Sequence, residues 1–291
     1  MNFTQLSQAI QDYSENYEET FIENIPTFIQ QAEKRIYNSV QIPSLRKNVT
    51  GVTQSGNKYL SAPSDFLSTY SLAVYPVITT TATGTSGEFS LTLTSYSGVA
   101  VGQSVSGTNI GTGALVRSIS GNTVILTSAN TGTVNGTVTF TGDYLYLLNK
   151  DVNFMREAYP QPTDTGLPKY YALFGPATSG GTITDELTFI LGPTPDIAYT
   201  AELHFYYYPE SITTAESGRT WLGDNFDTVL LYGSLVEAYT FMKGEQDLIS
   251  YYENKYQEAL SQLQRLSDGL ERGDFYRDGQ TKLNSNLKGN I

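Results

Sequence analysis

Apolar residues recur at helical spacing along the first forty positions. Leu6, Ile10, Tyr13 and Tyr17 form one stripe, and Ile22, Ile25, Ile29, Ala32, Ile36 and Val40 form a second. Every third or fourth side chain would then face a core, so two helical pieces are expected. Pro26 interrupts the second stripe and is read as the first turn of a new helix, where a missing N–H leaves no bond unmade. Pro43 ends it. LSAPSDFL, residues 60–67, reads as an extended stretch followed by a turn.

Between residues 77 and 141 the period falls to two. Val124 with Leu126, and Val134, Val138 and Phe140, lie between Gly and Asn turn signals. Short strands in this rhythm suggest a small Ig-like sandwich or barrel. More than half of the segment is Thr, Ser or Gly, and only Glu88 and Arg117 are charged. A flexible Gly/Ser linker would lack the regular Val, Ile and Leu. The chain on both sides is crowded with charged residues and Tyr. The break predicts an all-β domain over 77–141, inserted into a host formed by 1–76 and 142–272, with a tail over 273–291.

Three further strands are expected after the insert. DYLYLLN alternates Tyr and Leu. ELTFILG places Leu187, Phe189 and Leu191 on one face, and YTAELHFYYYP places Tyr199, Ala201, Leu203, Phe205 and Tyr207 on one face. The link GPTPDIA is too rich in Pro to be a strand, so the last two are expected to pair as an antiparallel hairpin. Helix then returns, with Asp224 as N-cap and Gly244 after Lys243 as a stop. A final helix carries a narrow seam of Leu248, Tyr252, Tyr256, Ala259, Leu263, Leu266 and Leu270, in steps of three and four. Such a seam packs along another helix, in its own domain or on a neighbouring subunit. The fold class is thus α+β: a helical-bundle host with a small antiparallel sheet, plus the inserted β domain. The tail lacks periodicity and is expected to be unordered in the free monomer.

Composition narrows the chemistry. The 291 residues are 39% hydrophobic, with no apolar run of membrane-spanning length, and the N-terminus has no Sec-type leader pattern. There is no Cys and a single His, so neither a disulfide nor a structural zinc site is expected. No phosphate loop, dinucleotide fingerprint or nucleophile elbow occurs, and no cofactor is expected. Asp185/Glu186, Asp224/Asp227 and Glu253/Glu258 are the carboxylate pairs a glycosidase could use, but they read as caps and solvated helix faces. His204, beside Glu202 in a strand, reads as a packed or surface residue. A net charge of −12 argues against tight binding to nucleic-acid phosphates, although an acidic channel wall would let DNA slide past. The 22 Tyr and 13 Phe suit a protein interface or a sugar-stacking surface.

Together the opening FTQLSQAIQDYSENYEETFIENIPTFIQQAEKRIYNSV, then LSAPSDFL, PKYYALFG, ELTFILGPTPDIAYTAELHFYYYP and TWLGDNFDTVLLYGSLVEAYTFMKGEQDLISYYENKYQEALSQL, resemble head–tail adaptor (connector) proteins of tailed bacteriophages. The type is the tail tubular protein A of short-tailed phages. The resemblance covers roughly residues 3–76 and 142–268 and carries no catalytic signature. The segment 77–141 departs from the minimal pattern, though it is similar to Gly/Thr-rich β modules on other phage structural proteins.

The resemblance implies a non-enzymatic virion protein at the head–tail junction, made in the host cytoplasm and without a membrane anchor. Twelve copies would form a ring between the portal and the tail nozzle or tube, around a channel that passes the genome without specific binding. Tail fibres could attach through the insert. In the tail, Phe275, Tyr276, Arg277, Leu283 and Leu287 are expected to contact the portal. The alternative is a tail or fibre protein whose β insert binds host-surface glycan.

Overall fold

The strand that enters the Thr-, Ser- and Gly-rich segment does not stop where the composition changes. In the computed structural model, which describes residues 1–271 except 41, 43, 44, 162, 180, 181 and 186, one strand runs unbroken over Ser68–Gly84. The chain opens with α1 (Phe3–Ser14), α2 (Glu19–Ser39), β1 (Arg46–Val52), β2 (Tyr59–Ser61) and that long strand, β3. Then come β4 (Ser90–Leu93), β5 (Ser104–Gly107), β6 (Val116–Ser120), β7 (Thr123–Leu126), β8 (Val134–Thr141), β9 (Leu145–Tyr146) and β10 (Leu148–Asn149). They are followed by α3 (Val152–Ala158), β11 (Tyr170–Phe174), β12 (Ala177–Ser179), β13 (Thr182–Asp185), β14 (Thr188–Gly192) and β15 (Tyr199–Tyr206). The chain closes with α4 (Trp221–Asn225), α5 (Asp227–Phe241) and α6 (Gln246–Glu271). It divides into two units, Met1–Arg46 with Tyr207–Ile291, and Lys47–Tyr206.

The first unit is helical and is organised around α5, which packs against α1, α2 and α6. α5 is apolar nearly all round, and Val229, Leu230, Leu231, Leu235, Val236 and Ala238 are all buried. Gly233 makes the close approach possible: a Cβ there would lie 3.2 Å from the Ala32 Cβ and 3.2 Å from the Tyr256 ring. α1 starts with a capping box, Asn2 accepting from the Gln5 N–H while the Gln5 side chain accepts from Asn2. Its Leu6 and Ile10 are buried, whereas Tyr13 and Tyr17 are exposed.

Two expected helix ends are corrected, and the stop after α5 falls where Lys243 and Gly244 place it. α2 runs straight through Pro26, which lies inside the helix and not in its first turn. Ile25, Phe28, Ile29, Ala32 and Ile36 are buried around the proline, so continuous burial outweighs the one lost hydrogen bond. Asp224 is not an N-cap. Thr220 caps α4, its side chain accepting from the Gly223 N–H, while Asp224 sits one turn inside and pairs with Arg219 at 2.9 Å. At the end of α5 the left-handed residue is Lys243 (φ 53°), and the Gly244 N–H donates to the Tyr239 carbonyl at 2.9 Å.

Glu33 is buried in this unit and accepts a hydrogen bond from the Ile212 N–H at 2.9 Å. Burial pushes its pKa above the ordinary carboxyl value, outweighing the hydrogen bonds from Ile212 and Ser211, which pull it down. A carboxyl whose folded pKa is raised contributes stability below its ordinary value, lost as pH climbs through the raised one. Glu33→Gln keeps an acceptor for Ile212 and removes that loss. Thermal melts should show the variant gaining on the wild type from pH 4 to pH 8. A deficit that grows with pH would show that the ionised carboxylate is favoured in the fold.

The second unit is built from antiparallel sheet bent around β3. Its first half, Ser68–Pro76, pairs with β15, and Val77–Gly84 pairs with β8. On the opposite edge β9 pairs at Ala73 and Val74, and β4 at Ala82 and Thr83. Beyond β3 the sheet curls through β4, β7 and β6 on one side and β8 and β5 on the other. The curl brings β5 to the segment leading into β6: the Val105 N–H donates to Ala114 O, and the Val116 N–H to Gln103 O, both at 2.9 Å. Of the two expected β forms, this is a curled sheet and not a pair of stacked ones. Its core comprises Ala82, Leu91, Leu93, Val105, Ala114, Val116, Val124, Leu126, Val134, Val138 and Phe140. Every member comes from the charge-poor segment, although β3 crosses the expected boundary at 76/77. Buried Gln103 braces one turn, accepting from the Ala100 N–H and donating to Gly98 O.

Where the chain passes into and out of this segment, the Gly142 N–H donates to Pro76 O at 3.0 Å. A Cβ on Gly142 would come within 2.6 Å of the Pro76 ring, so the two strands touch closely there. Replacing residues 77–141 by a short Gly/Ser linker should therefore leave the remaining fold intact, since its ends are already adjacent. Circular dichroism of the deletion variant should retain the helical signal; its loss would show that the rest depends on the segment.

The expected hairpin between ELTFILG and YTAELHFYYYP does not form. β14 has β11 on one edge and β2 on the other, both antiparallel, while β15 lies between β1 and β3. The strands meet through side chains instead: the Phe66 ring lies 5.4 Å from Phe189 of β14 and 5.9 Å from Phe205 of β15. β14 is buried on both faces, and β15 alternates as expected, with Tyr199, Ala201, Leu203 and Phe205 inward. DYLYLLN is also split: buried Leu147 separates β9 from β10, which pairs in parallel with β11. The short helix α3, capped by the Asp151 side chain, packs Met155 against Ala172 and Ile190.

Candidate interaction surfaces

The α6 seam divides into a buried middle and exposed ends. Tyr256 and Leu263 are fully buried, and Tyr252, Ala259 and Leu260 nearly so. Leu248 and Leu266 are 40% and 41% exposed, and Ser267 is buried instead. Eighteen residues are about five helical turns, so Leu248 and Leu266 share one angular position, on the flank of the stripe and away from the line through Tyr256, Leu263 and Ser267. Arg35 of α2 reinforces the buried part: its guanidinium lies 4.5 Å from the Tyr256 ring centre and bonds Glu253 at 2.6 Å. Burial pushes the Glu253 carboxyl up, but bonds from Arg35 and Gln257 carry it below the ordinary value. That is the wrong direction for a general acid.

Asp224, Asp227 and Glu258 are similarly engaged. Asp224 holds Arg219, and Glu258 holds Lys255 at 3.2 Å. Asp227 lies 3.9 Å from the N-terminal amine. Glu186 is outside the described residues. Among the described residues no group of His, Asp and Glu could hold a metal ion, and no helix is long and apolar enough to cross a membrane. His204 stands on the outward face of β15, with Nδ1 3.3 Å from the Ser71 hydroxyl and Nε2 3.9 Å from Glu202.

Around this pair lies a tyrosine-rich face that period-two reading did not reveal. Tyr146 of β9 lies opposite Ala73, which lies opposite Glu202, so three strands present one row. Tyr75 and Tyr144 rings approach to 4.3 Å, and Tyr70 meets Tyr206 edge-on at 6.0 Å. A hydrogen bond with Tyr75, burial and the charge of Glu202 push the Tyr144 hydroxyl up to about 12. Tyr70, Tyr144 and Tyr146 are each at least half exposed. Large aromatic side chains that keep a polar tip are enriched where proteins meet. The sequence shows the tyrosines; only the pairing of β9, β3 and β15 shows that they share a surface. Phe275, Tyr276, Arg277, Leu283 and Leu287 lie outside the described residues.

The match of one family model over nearly the whole chain makes these the surfaces of a phage adaptor, a structural component of the virion. The SU10 adaptor protein family matches the chain over residues 1–277. The chain therefore belongs to the SU10 adaptor protein family. Comparison with curated proteins finds no match.

Proposed function

We propose that this adaptor works as its resemblance to the tail tubular protein A type implies. Copies of the chain, twelve by that resemblance, form a ring at the head–tail junction. The ring joins the portal to the tail nozzle or tube and surrounds a channel for the genomic DNA. The family match over residues 1–277 carries this reading. A closed ring needs two different, complementary patches per subunit, and the chain offers a helical unit and a sheet unit to carry them. Its net charge of −12 suits a wall past which DNA slides, because phosphates are repelled and not captured. Residues 77–141 form a module on the adaptor that can receive tail fibres.

The tail residues Phe275, Tyr276, Arg277, Leu283 and Leu287 dock on the portal. Arg277, Lys282 and Lys288 make the tail mildly basic on an acidic chain, which suits an acidic groove of a partner. Truncation after Gly273 should leave the melting temperature unchanged and weaken co-sedimentation with portal rings, more so at low salt. Equal co-sedimentation of truncated and full-length protein at low and moderate salt would remove the tail from the interface.

A further inference from the structure

The sheet unit contains a cavity of about 320 Å³ whose chemistry runs against that of the chain. It opens between the start of β2, helix α3 and the end of β11. Lys58 and Arg156 are its charged lining residues, beside the rings of Tyr59, Tyr159 and Phe174. The Lys58 Nζ lies 5.5 Å from the Tyr59 ring centre, and the Arg156 guanidinium 5.9 Å from that of Phe174. Among the described residues neither cation has a carboxylate partner, whereas Arg35, Lys47, Arg219 and Lys255 each have one. On a chain of net charge −12, two cations facing one cavity and held only by rings are poised for an incoming anion.

We infer that this cavity seats the acidic turn between α1 and α2 of a second copy of the chain. The inference rests on the ring reading and names one of its contacts. The turn carries Glu15, Glu18 and Glu19, all exposed, beside Tyr17, which is 61% exposed. It is already shaped. Glu15 caps α1 in the left-handed conformation at φ 50°, the Glu18 N–H donates to the Asn16 side chain at 3.0 Å, and the Tyr17 hydroxyl bonds Asp12 at 3.2 Å. An ordered turn loses little freedom on docking. Its carboxylates meet Lys58 and Arg156, and its tyrosine meets the aromatic wall. Copies that would otherwise repel one another gain a directional, heterologous contact of the kind that closes a ring.

Charge reversal on each side tests this with the full chain. One variant carries Lys58→Glu and Arg156→Glu; the other carries Glu15→Lys, Glu18→Lys and Glu19→Lys. All five side chains are exposed, so both variants should melt as the wild type does, and light scattering after size exclusion, with portal rings as seed, reads assembly. Each variant alone should assemble about tenfold more weakly than wild type. The mixture should recover, because each reversed cavity then meets a reversed turn and each natural cavity a natural turn. Either variant assembling as wild type, or a mixture that fails to recover, overturns this contact and leaves the ring reading standing. Wild-type protein that stays monomeric beside portal rings overturns the ring reading and this inference with it.

Discussion

Leu263→Asp should unfold the helical unit, whereas Leu266→Asp, three residues further along α6, should melt as the wild type does. Leu263 is fully buried and Leu266 is 41% exposed. Placing a carboxylate at the first position strips it of water with no cation provided, at a cost of several kcal/mol. A domain of this size holds only about 5–15 kcal/mol in all. The second substitution leaves its charge in solvent and should change stability by less than about 0.5 kcal/mol. Far-ultraviolet circular dichroism during heating distinguishes the two. A Leu263→Asp protein that keeps its helical signal and wild-type melting temperature would show that the buried side of α6 is not the side assigned here.

Phe140→Ala should have a comparably large effect confined to the curled sheet. Phe140 is fully buried in a cluster whose members all come from residues 82–140. Removing so large a ring from a closed core costs about 3–5 kcal/mol. Because that cluster excludes the helical unit, the loss should appear as an earlier, separate transition in calorimetry. Helical circular dichroism should persist to the wild-type temperature. A single transition lowered as a whole would mean that the segment and the remainder of the chain melt together.

How much of this was legible in the sequence depended on whether the physical signal was local. Period-two alternation in YTAELHFYYYP gave the inward and outward faces of β15 correctly, because a strand's faces are fixed by its own residues. Its partners are not. Two apolar strands joined by a short link invite pairing as a hairpin, yet β14 and β15 lie in different sheets, joined through Phe66. The composition break at 77–141 coincides with one apolar cluster of Val, Leu, Ala and Phe, since charge-poor, Thr-rich strands have little else to bury. It could not show that β3 runs through the boundary, because a strand's length is set by what pairs along its edges. In the helices, Pro26 looked like a terminus because local propensity disfavours it, and burial on both sides overrode that cost.

The surfaces were harder to see. Leu248 and Leu266 fitted the seam by spacing but sit on its flank, turned toward solvent. Lys58, Arg156 and Phe174 are far apart in sequence, and no local pattern joins them. Only the placement of α3 beside β2 and β11 makes them one cavity. The tyrosine face around Glu202 was hidden in the same way.

The central claim is that this adaptor joins portal to tail as a ring. Mixing purified full-length protein with portal rings and measuring the mass of the product, by size exclusion with light scattering, tests it most directly. A complex carrying many copies of the chain per portal ring, with the same rotational symmetry in electron micrographs, is expected. Portal rings that elute unchanged beside monomeric protein would contradict it.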